Sequence, residues 1–278
     1  MAAYVEWGEK MLVVIRGAGD LASGIALRLY RAGLSIVMLD VEVPTAVRRT
    51  VAFSEAIRLG KKKVENVTAV RAKDAEDALR IVNEKNIAVL VDPQGTNIAN
   101  LHPEVLVDAI LAKKNIGTTK DMAPLVIGVG PGFTSGKTST ADCHAVIETK
   151  RGHYLGRVIY DGSAIPNTGV PGNIGGFTKE RVLRAPQDGI FEPVAKIGDL
   201  VSKGDSVATV SGIPVKATIN GVLRGLLQEG IPVFKGMKSG DIDPRCAPGH
   251  CFSASDKARA VGGGVLEALC HFTERLVG

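Results

Sequence analysis

The chain has 278 residues, 45% of them hydrophobic and 23% charged, with a formal net charge of +5. This composition excludes a disordered chain, a collagen-like repeat and a small disulfide scaffold, and the length allows one large or two modest domains. Aromatic residues make up only 4%, which argues against a nucleic-acid partner, since such proteins interleave rings with their cations.

The segment from Met1 to Lys10 carries Glu6 and Glu9 and no apolar stretch, and the apolar run 11–15 stops at Arg16. Neither a signal peptide nor a membrane span is expected. The four cysteines, Cys143, Cys246, Cys251 and Cys270, do not make a disulfide framework in a chain of this size. A soluble, cytoplasmic protein in a reducing compartment is therefore expected, with no membrane partner. Seven glycines fall in residues 1–116 and 26 in the remainder, so the architecture should change near the middle.

Residues 11–130 alternate apolar runs with helical spacing. Strands are predicted at 11–15, 35–39, 64–70, 87–91 and 125–129. Helices are predicted at 21–31, at 74–84 with Asp74 as N-cap, and at 103–113 with Pro103 in the first turn and lysines at the end. Lys61, Lys62 and Lys63 read as a solvated loop. This βα rhythm calls for a parallel sheet covered on both faces. Residues 131–180 read as ordered loops with short strands at 145–148 and 155–160.

Residues 185–243 hold an internal repeat. Ala185, Gly189, Gly198, Val201, Lys203 and Gly204 recur as Ala217, Gly221, Gly230, Val233, Lys235 and Gly236, always 32 residues on. Two units of short strands and glycine turns would stack into a small sandwich or barrel. The pattern resembles the biotinyl/lipoyl barrel-sandwich hybrid. Lys216, however, lacks the flanks of a carrier lysine, which favours a structural barrel. Residues 253–275 return to a helix, capped by Ser253 or Ser255 and crossed by Gly262–Gly264. Three glycines there cost helix stability and point to close packing or to a ligand against backbone.

The strongest chemical motif is Gly17-Ala18-Gly19-Asp20-Leu21-Ala22-Ser23-Gly24. It follows a buried strand, opens a helix and matches G-x-G-x-x-A, and Asp40 ends the next strand 21 residues after Gly19. That is the context of a dinucleotide fingerprint, in which helix N–H groups meet a phosphate. A bare glycine-rich turn is the alternative. A carboxylate at Asp20 competes with an anion there, so Asp20 could instead contact a ribose or pterin N–H. Asp40 would select a ribose or pterin edge. Gly136-Lys137-Thr138 resembles the end of a Walker A loop, but Pro131 stands where that loop needs glycine.

Gly130-Pro131-Gly132-Phe133 is a second tight turn after a strand, on the same sheet edge as Gly17 if the sheet is parallel. Near it in sequence lie Asp142, Cys143, His144, Glu148, Arg151 and His153. Glu148, Arg151 and His153 would hold an anion or form a satisfied ion pair and turn. Cys143, His144, His153 and Cys251 are the candidates for a catalytic role. Cys246, His250 and Cys251 are candidates for a soft metal or chalcogen, or simply a turn closing the barrel.

Several segments together resemble a known family. They are Arg16-Gly-Ala-Gly-Asp-Leu-Ala-Ser-Gly, Thr50-Val-Ala-Phe-Ser-Glu-Ala, Lys120-Asp-Met-Ala-Pro-Leu, Gly130-Pro-Gly-Phe-Thr, Val146-Ile-Glu-Thr, Arg151-Gly-His, Leu155-Gly-Arg, Gly240-Asp-Ile-Asp-Pro-Arg and the glycine-rich stretch from Ser255. They resemble the selenium-dependent molybdenum hydroxylase system proteins of YqeB type, which are similar to the XdhC-type accessory proteins of xanthine dehydrogenase. The resemblance covers residues 11–272. It implies an accessory, maturation role toward a molybdenum hydroxylase partner and a Rossmann-like domain; it names a pathway better than a reaction. Against that pattern, Lys137–Ala141 looks like a short insert that puts the geometry of the preceding turn in doubt.

The resulting expectation is an α/β chain: a Rossmann-like domain at 11–165, a barrel-sandwich-hybrid-like two-unit repeat at 180–245, and a C-terminal helix at 253–275 packing on either. Gly17, Gly19, Asp20, Ala22, Gly24, Asp40, Gly130 and Gly132 are the expected cofactor-binding residues. The expected ligand is the molybdenum cofactor or, alternatively, NAD(P) for an oxidoreductase. A homo-oligomer is left open.

Overall fold

A computed structural model describes residues 11–273; the expectations for residues 1–10, and for 274–275 of the late helix, lie outside them. The first half runs β1 (Leu12–Arg16), α1 (Asp20–Arg31), β2 (Ser35–Asp40), α2 (Glu55–Leu59), β3 (Lys61–Val64), β4 (Val67–Ala72), α3 (Ala75–Asn83), β5 (Ile87–Val91), α4 (Ile98–Leu101), β6 (Val105–Asp108) and β7 (Leu125–Val129). Short strands follow: β8 (Thr134–Ser135), β9 (Ala145–Ile147), β10 (Val158–Ile159) and β11 (Gly162–Ser163).

Nine of these strands form one sheet in the order β10-β9-β7-β6-β1-β2-β5-β4-β3. All neighbours are parallel except the two edge pairs, β10 with β9 and β3 with β4. β1 lies between β2 and β6, so the chain leaves the centre first to one side and then to the other. Side chains alternate across each strand. Val13 and Ile15 join α1 and the late helix in one core, while Leu12 and Val14 join α3 and α4 in the other. Burial on both faces is why β1 reads as an unbroken apolar run.

Three segments differ from expectation. Residues 103–113 are not a helix. Val105–Asp108 is a buried strand between β1 and β7, and the chain then leaves the sheet as a loop. Val105-Leu106-Val107 is apolar without helical spacing and fits a doubly covered strand, which outweighs the helix-start signal of Pro103. The lysine run is not a loop but edge strand β3, paired with β4, where exposed lysines discourage edge-to-edge association. The strand expected over 155–160 shrinks to Val158–Ile159.

The second half runs β12 (Val182–Arg184), β13 (Gly189–Pro193), β14 (Leu200–Val201), β15 (Ser206–Val210), β16 (Ile213–Lys216), β17 (Gly221–Leu226), β18 (Pro232–Val233), β19 (Lys238–Asp243), a short 3-10 turn (Pro248–Cys251) and α5 (Asp256–Phe272). Eight strands form two four-stranded sheets, β12-β19-β17-β14 and β16-β15-β13-β18. The repeat offset maps β13, β14 and β15 onto β17, β18 and β19, and β12 onto β16. Each sheet therefore draws strands from both units. Hydrogen bonds obey the same symmetry: Gly198 N donates to Leu223 O and Gly230 N to Phe191 O, both at 2.9 Å. A separate core around Phe191, Leu223, Leu226 and Ile242 fills the space between the sheets. The chain is thus a mixed α/β protein with one large, mostly parallel sheet and further antiparallel sheets.

α5 packs lengthwise on α1. A Cβ on Gly262 would come within 3.0 Å of Gly24 O, and one on Gly264 within 2.1 Å of Gly156 O. The glycine run continues the helix and lets backbones touch. Of the two serines expected as caps, Ser255 holds the position, its hydroxyl accepting from Ala258 N. Among the described residues, no helix is long and apolar enough to cross a membrane.

Candidate functional site

The loops that follow β1, β6, β7 and β9 gather at one edge of the sheet, with β1 and β6 at the point where the chain reverses its direction of winding. In open α/β sheets this is where ligands bind. A cavity of about 360 Å³ opens there. Its floor and walls include Leu21 at the start of α1, Leu111 after β6, Pro131 after β7, Thr149 after β9, Ile165 and Thr168. Four cations line it: Lys113, Lys150, Arg151 and, from the first turn of α5, Lys257. Among the described residues, no carboxylate lines it.

None of Gly17, Gly19, Asp20, Ala22, Gly24, Asp40, Gly130 and Gly132 lines this cavity, and the glycine loop before α1 reaches it only through Leu21. Gly17 has φ +98°, and a Cβ there would stand 2.9 Å from Ala109 O, so only glycine lets the β1 and β6 loops lie this close. At Gly19 a Cβ would meet nothing within 4 Å, so this backbone faces open space. Ala22 is buried in the core. Gly24 faces α5, not a ligand: a Cβ there would stand 2.5 Å from Ala258 Cβ. Asp20 turns toward Arg48, 3.4 Å away.

Asp40 acts inside the loop. One carboxylate oxygen accepts from Ala18 N and the other from Val41 N, both at 2.7 Å. Burial nevertheless pushes its pKa up, with those two backbone donors opposing. Arg16, buried at the end of β1, reaches Asp108 at 3.3 Å and Thr118 at 2.5 Å, while Thr118 donates to Asp108 at 2.6 Å. This trio fixes the long loop after β6. Its only trace in the sequence is an arginine ending an apolar strand.

The second glycine turn sits where expected. Gly130 abuts Thr149, and Gly132 abuts the backbone of Lys114, so the three loops of the cavity wall are packed on one another. Glu148 is buried and ties the wall from inside, accepting from Lys150 N at 2.7 Å and Ile165 N at 2.8 Å. Arg151 grips Asp256 with two bonds of 2.7 and 3.0 Å. Lys257 beside it has its pKa lowered, first by burial and next by the Arg151 charge. The nearby carboxylates of Asp20, Glu148 and Asp256 act in the opposite direction without cancelling the shift.

The remaining candidates lie elsewhere. Cys143 is buried under the sheet, and burial pushes its thiol up to about 12, so it is not a thiolate near neutral pH. His144 stays at the sheet, its Nδ1 accepting from Val126 N at 3.0 Å. His153 is exposed and packs edge-on against Tyr154. None of the three lines the cavity. Asp142 accepts from Thr134 N at 2.8 Å, which pins both ends of the Lys137–Ala141 insert and leaves it as a solvent loop away from the cavity. Cys246 is exposed, Cys251 is buried with its thiol pKa raised by burial, and the His250 ring lies 4.0 Å from Asp243. Among the described residues, no three His, Cys, Asp or Glu side chains come together to hold a metal ion.

No family model matches the chain. Two solved structures bear a faint likeness: an aspartoacylase family protein from Mesorhizobium loti (TM-score 0.27, 13% identity) and the ectoine utilization protein EutE (DoeB) from Ruegeria pomeroyi (TM-score 0.25, 12% identity). Each likeness covers 84% of this chain and 85% of the other, and at such scores neither fold nor function follows from it. In sequence the chain is 55% identical over 258 residues to an Escherichia coli (strain K12) protein described as uncharacterized protein YqeB. The match takes in 93% of this chain and 47% of that protein, so the chain spans about half the length of its curated relative. That identity, sustained across both the large sheet and the repeat, makes the chain a homologue of YqeB over this region.

Proposed function

We propose that the chain binds a phosphorylated, ring-bearing cofactor at the edge of the large sheet and serves as a maturation factor for a molybdenum hydroxylase, with the molybdenum cofactor as its cargo. The observation that supports the binding half is the cavity itself, with Lys113, Lys150, Arg151 and Lys257 around it and, among the described residues, no carboxylate in its lining. In this reading the lysines and Arg151 take the phosphate, Gly19 lets it approach the α1 backbone, and Leu21, Leu111 and Ile165 cover the rings. No cysteine lines the cavity, so the chain's residues are assigned to the phosphate and the pterin and none to the metal. The maturation half, with its selenium dependence and its kinship to the XdhC type, rests on the motif resemblance. We further read the first half as Rossmann-like, the repeat as barrel-sandwich-hybrid-like, and the protein as cytoplasmic.

A nicotinamide-dinucleotide oxidoreductase is the competing reading, favoured by the Gly17–Gly19 loop and the strand order. Asp40 counts against it, because both of its oxygens already accept backbone N–H groups. Calorimetric titration with NAD(P)(H), nucleoside monophosphates and a molybdopterin-type ligand separates the two. Pterin binding weakened at least about tenfold by Lys113→Gln with Lys150→Gln is expected, on the scale of one charged hydrogen bond. Saturable binding of NAD(P)(H) alone, or of nothing at millimolar ligand, overturns the proposal.

A further inference from the structure

Away from the sheet-edge cavity, a second hollow of about 140 Å³ lies between the repeat and the start of α5. Arg224 on β17, Arg245 and His250 after β19, and Ser253, Ser255 and Arg259 around the α5 N-terminus form much of its lining, together with Asp256. Each carboxylate of this region is bonded more closely by an arginine other than Arg224. Asp241 is bonded by Arg181, Asp243 by Arg245 at 2.7 and 2.9 Å, Asp256 by Arg151 at 2.7 Å, and Asp20 by Arg48 at 3.4 Å. Arg224 makes only longer ion pairs. Its nearest carboxylates are Asp243 at 3.6 Å and Asp241 at 3.9 Å, both already held by other arginines.

The Arg224 side chain is only 7% exposed, and its Nε is buried with no hydrogen-bond partner. A second buried guanidinium, Arg48, lies near enough for the two charges to repel, and its Nε also has no partner. Leaving a buried charge without hydrogen bonds costs far more than the pair interactions gain. An anion in the hollow relieves that cost, and the N-terminal end of a helix of 17 residues faces it with the favourable end of its dipole.

We infer that this hollow is a binding site for one tetrahedral oxyanion of the phosphate class, either free or as the terminal group of a larger ligand, neutralising Arg224. The site is distinct from the sheet-edge cavity and stands whether or not that cavity binds a cofactor.

The test uses the full chain with Lys113→Gln and Lys150→Gln, which weaken the sheet-edge cavity, and inorganic phosphate titrated calorimetrically against chloride at matched ionic strength. Saturable one-site binding is expected, with affinity lowered at least about tenfold by Arg259→Gln and by Arg245→Gln, each removing a charged donor. Arg224→Met is the direct variant, but its burial beside two aspartates puts the fold at risk, so the two more exposed arginines carry the test. Competition by a nucleoside monophosphate, dependent on Arg259, identifies the terminal group of a larger ligand; its absence identifies a free oxyanion. No saturation at millimolar phosphate, or binding indifferent to Arg245 and Arg259, overturns the inference.

Discussion

Gly24 on α1 and Ala258 on α5 leave no space between them: a Cβ on Gly24 would stand 2.5 Å from the Cβ of Ala258. Two helices that approach this closely are sensitive to a single methyl group. Gly24→Ala is therefore expected to lower stability by about 1–3 kcal/mol, despite the better helix propensity of alanine. Adding Ala258→Gly should restore part of the loss. Urea unfolding of the single and double variants measures both; a Gly24→Ala protein as stable as its parent would show that the helices part freely.

Gly19 gives the opposite expectation. Its φ of −67° suits any residue, and a Cβ would enter open space. Gly19→Ala should keep stability within about 0.5 kcal/mol while weakening the ligand that approaches this backbone. A thermal melt paired with a binding titration separates the two quantities. Lost stability with unchanged binding would reverse the assignment of Gly19 and Gly24.

Arg151 holds Asp256 well below the usual carboxylate range, its hydrogen bonds being the main cause. A lowered folded pKa means the contribution is present above the unfolded value of about 3.8 and fades as the pH falls below it. Asp256→Asn should accordingly lower stability slightly at neutral pH, converge on the parent in acid and so flatten the acid limb, the effect being small because the carboxylate is mostly exposed and solvent-screened. Melting temperatures from pH 3 to 7 test this; an unchanged acid limb would show that the pair is not formed in solution.

The four thiols should divide cleanly. Cys143 and Cys251 are buried with raised pKa values, and Cys246 and Cys270 are exposed. Native alkylation followed by mass spectrometry is expected to label Cys246 and Cys270 and to spare the other two until denaturant is added. Rapid labelling of Cys143 in the folded protein would revive it as a candidate nucleophile.

The repeat offers an internal control. Asn220 accepts from Lys203 N, and Asp188, 32 residues earlier, accepts from Lys235 N, both at 2.7 Å. Asn220→Ala and Asp188→Ala should cost about 1 kcal/mol each and add in the double variant, since they share no partner. Chemical denaturation reads all three; strongly unequal costs would mean that the two turns are not equivalent in energy.

Much of the fold was legible in the chain. β1, β2, β5 and β7 announce themselves as apolar runs, and Asp74 caps α3 with its side chain as its position suggests. The repeat offset is written in glycines and lysines that recur unchanged. The strand at Val105–Asp108 was hidden behind a proline and terminal lysines that imitate a helix. The site was legible as loops but not as a cavity. Gly17, Gly19, Gly130 and Pro131 mark the sheet edge at which the cavity opens. Lys113, Lys150 and Lys257 come from three distant segments, and no local pattern distinguishes them from solvent lysines. Gly24 looked like part of the loop motif because one glycine spacing serves both a ligand turn and a helix contact; only the partner helix tells them apart.

The interleaving of the two repeat units bears on how such a structure can arise. Each sheet takes strands from both copies, so one 32-residue unit alone would hold half of each sheet, with open edges and an uncovered core. The smallest object that closes is a pair. A single unit could complete itself only against a second molecule of its own kind, so the fused repeat has the geometry of a two-fold homodimer whose subunits have been joined by the short link between β15 and β16.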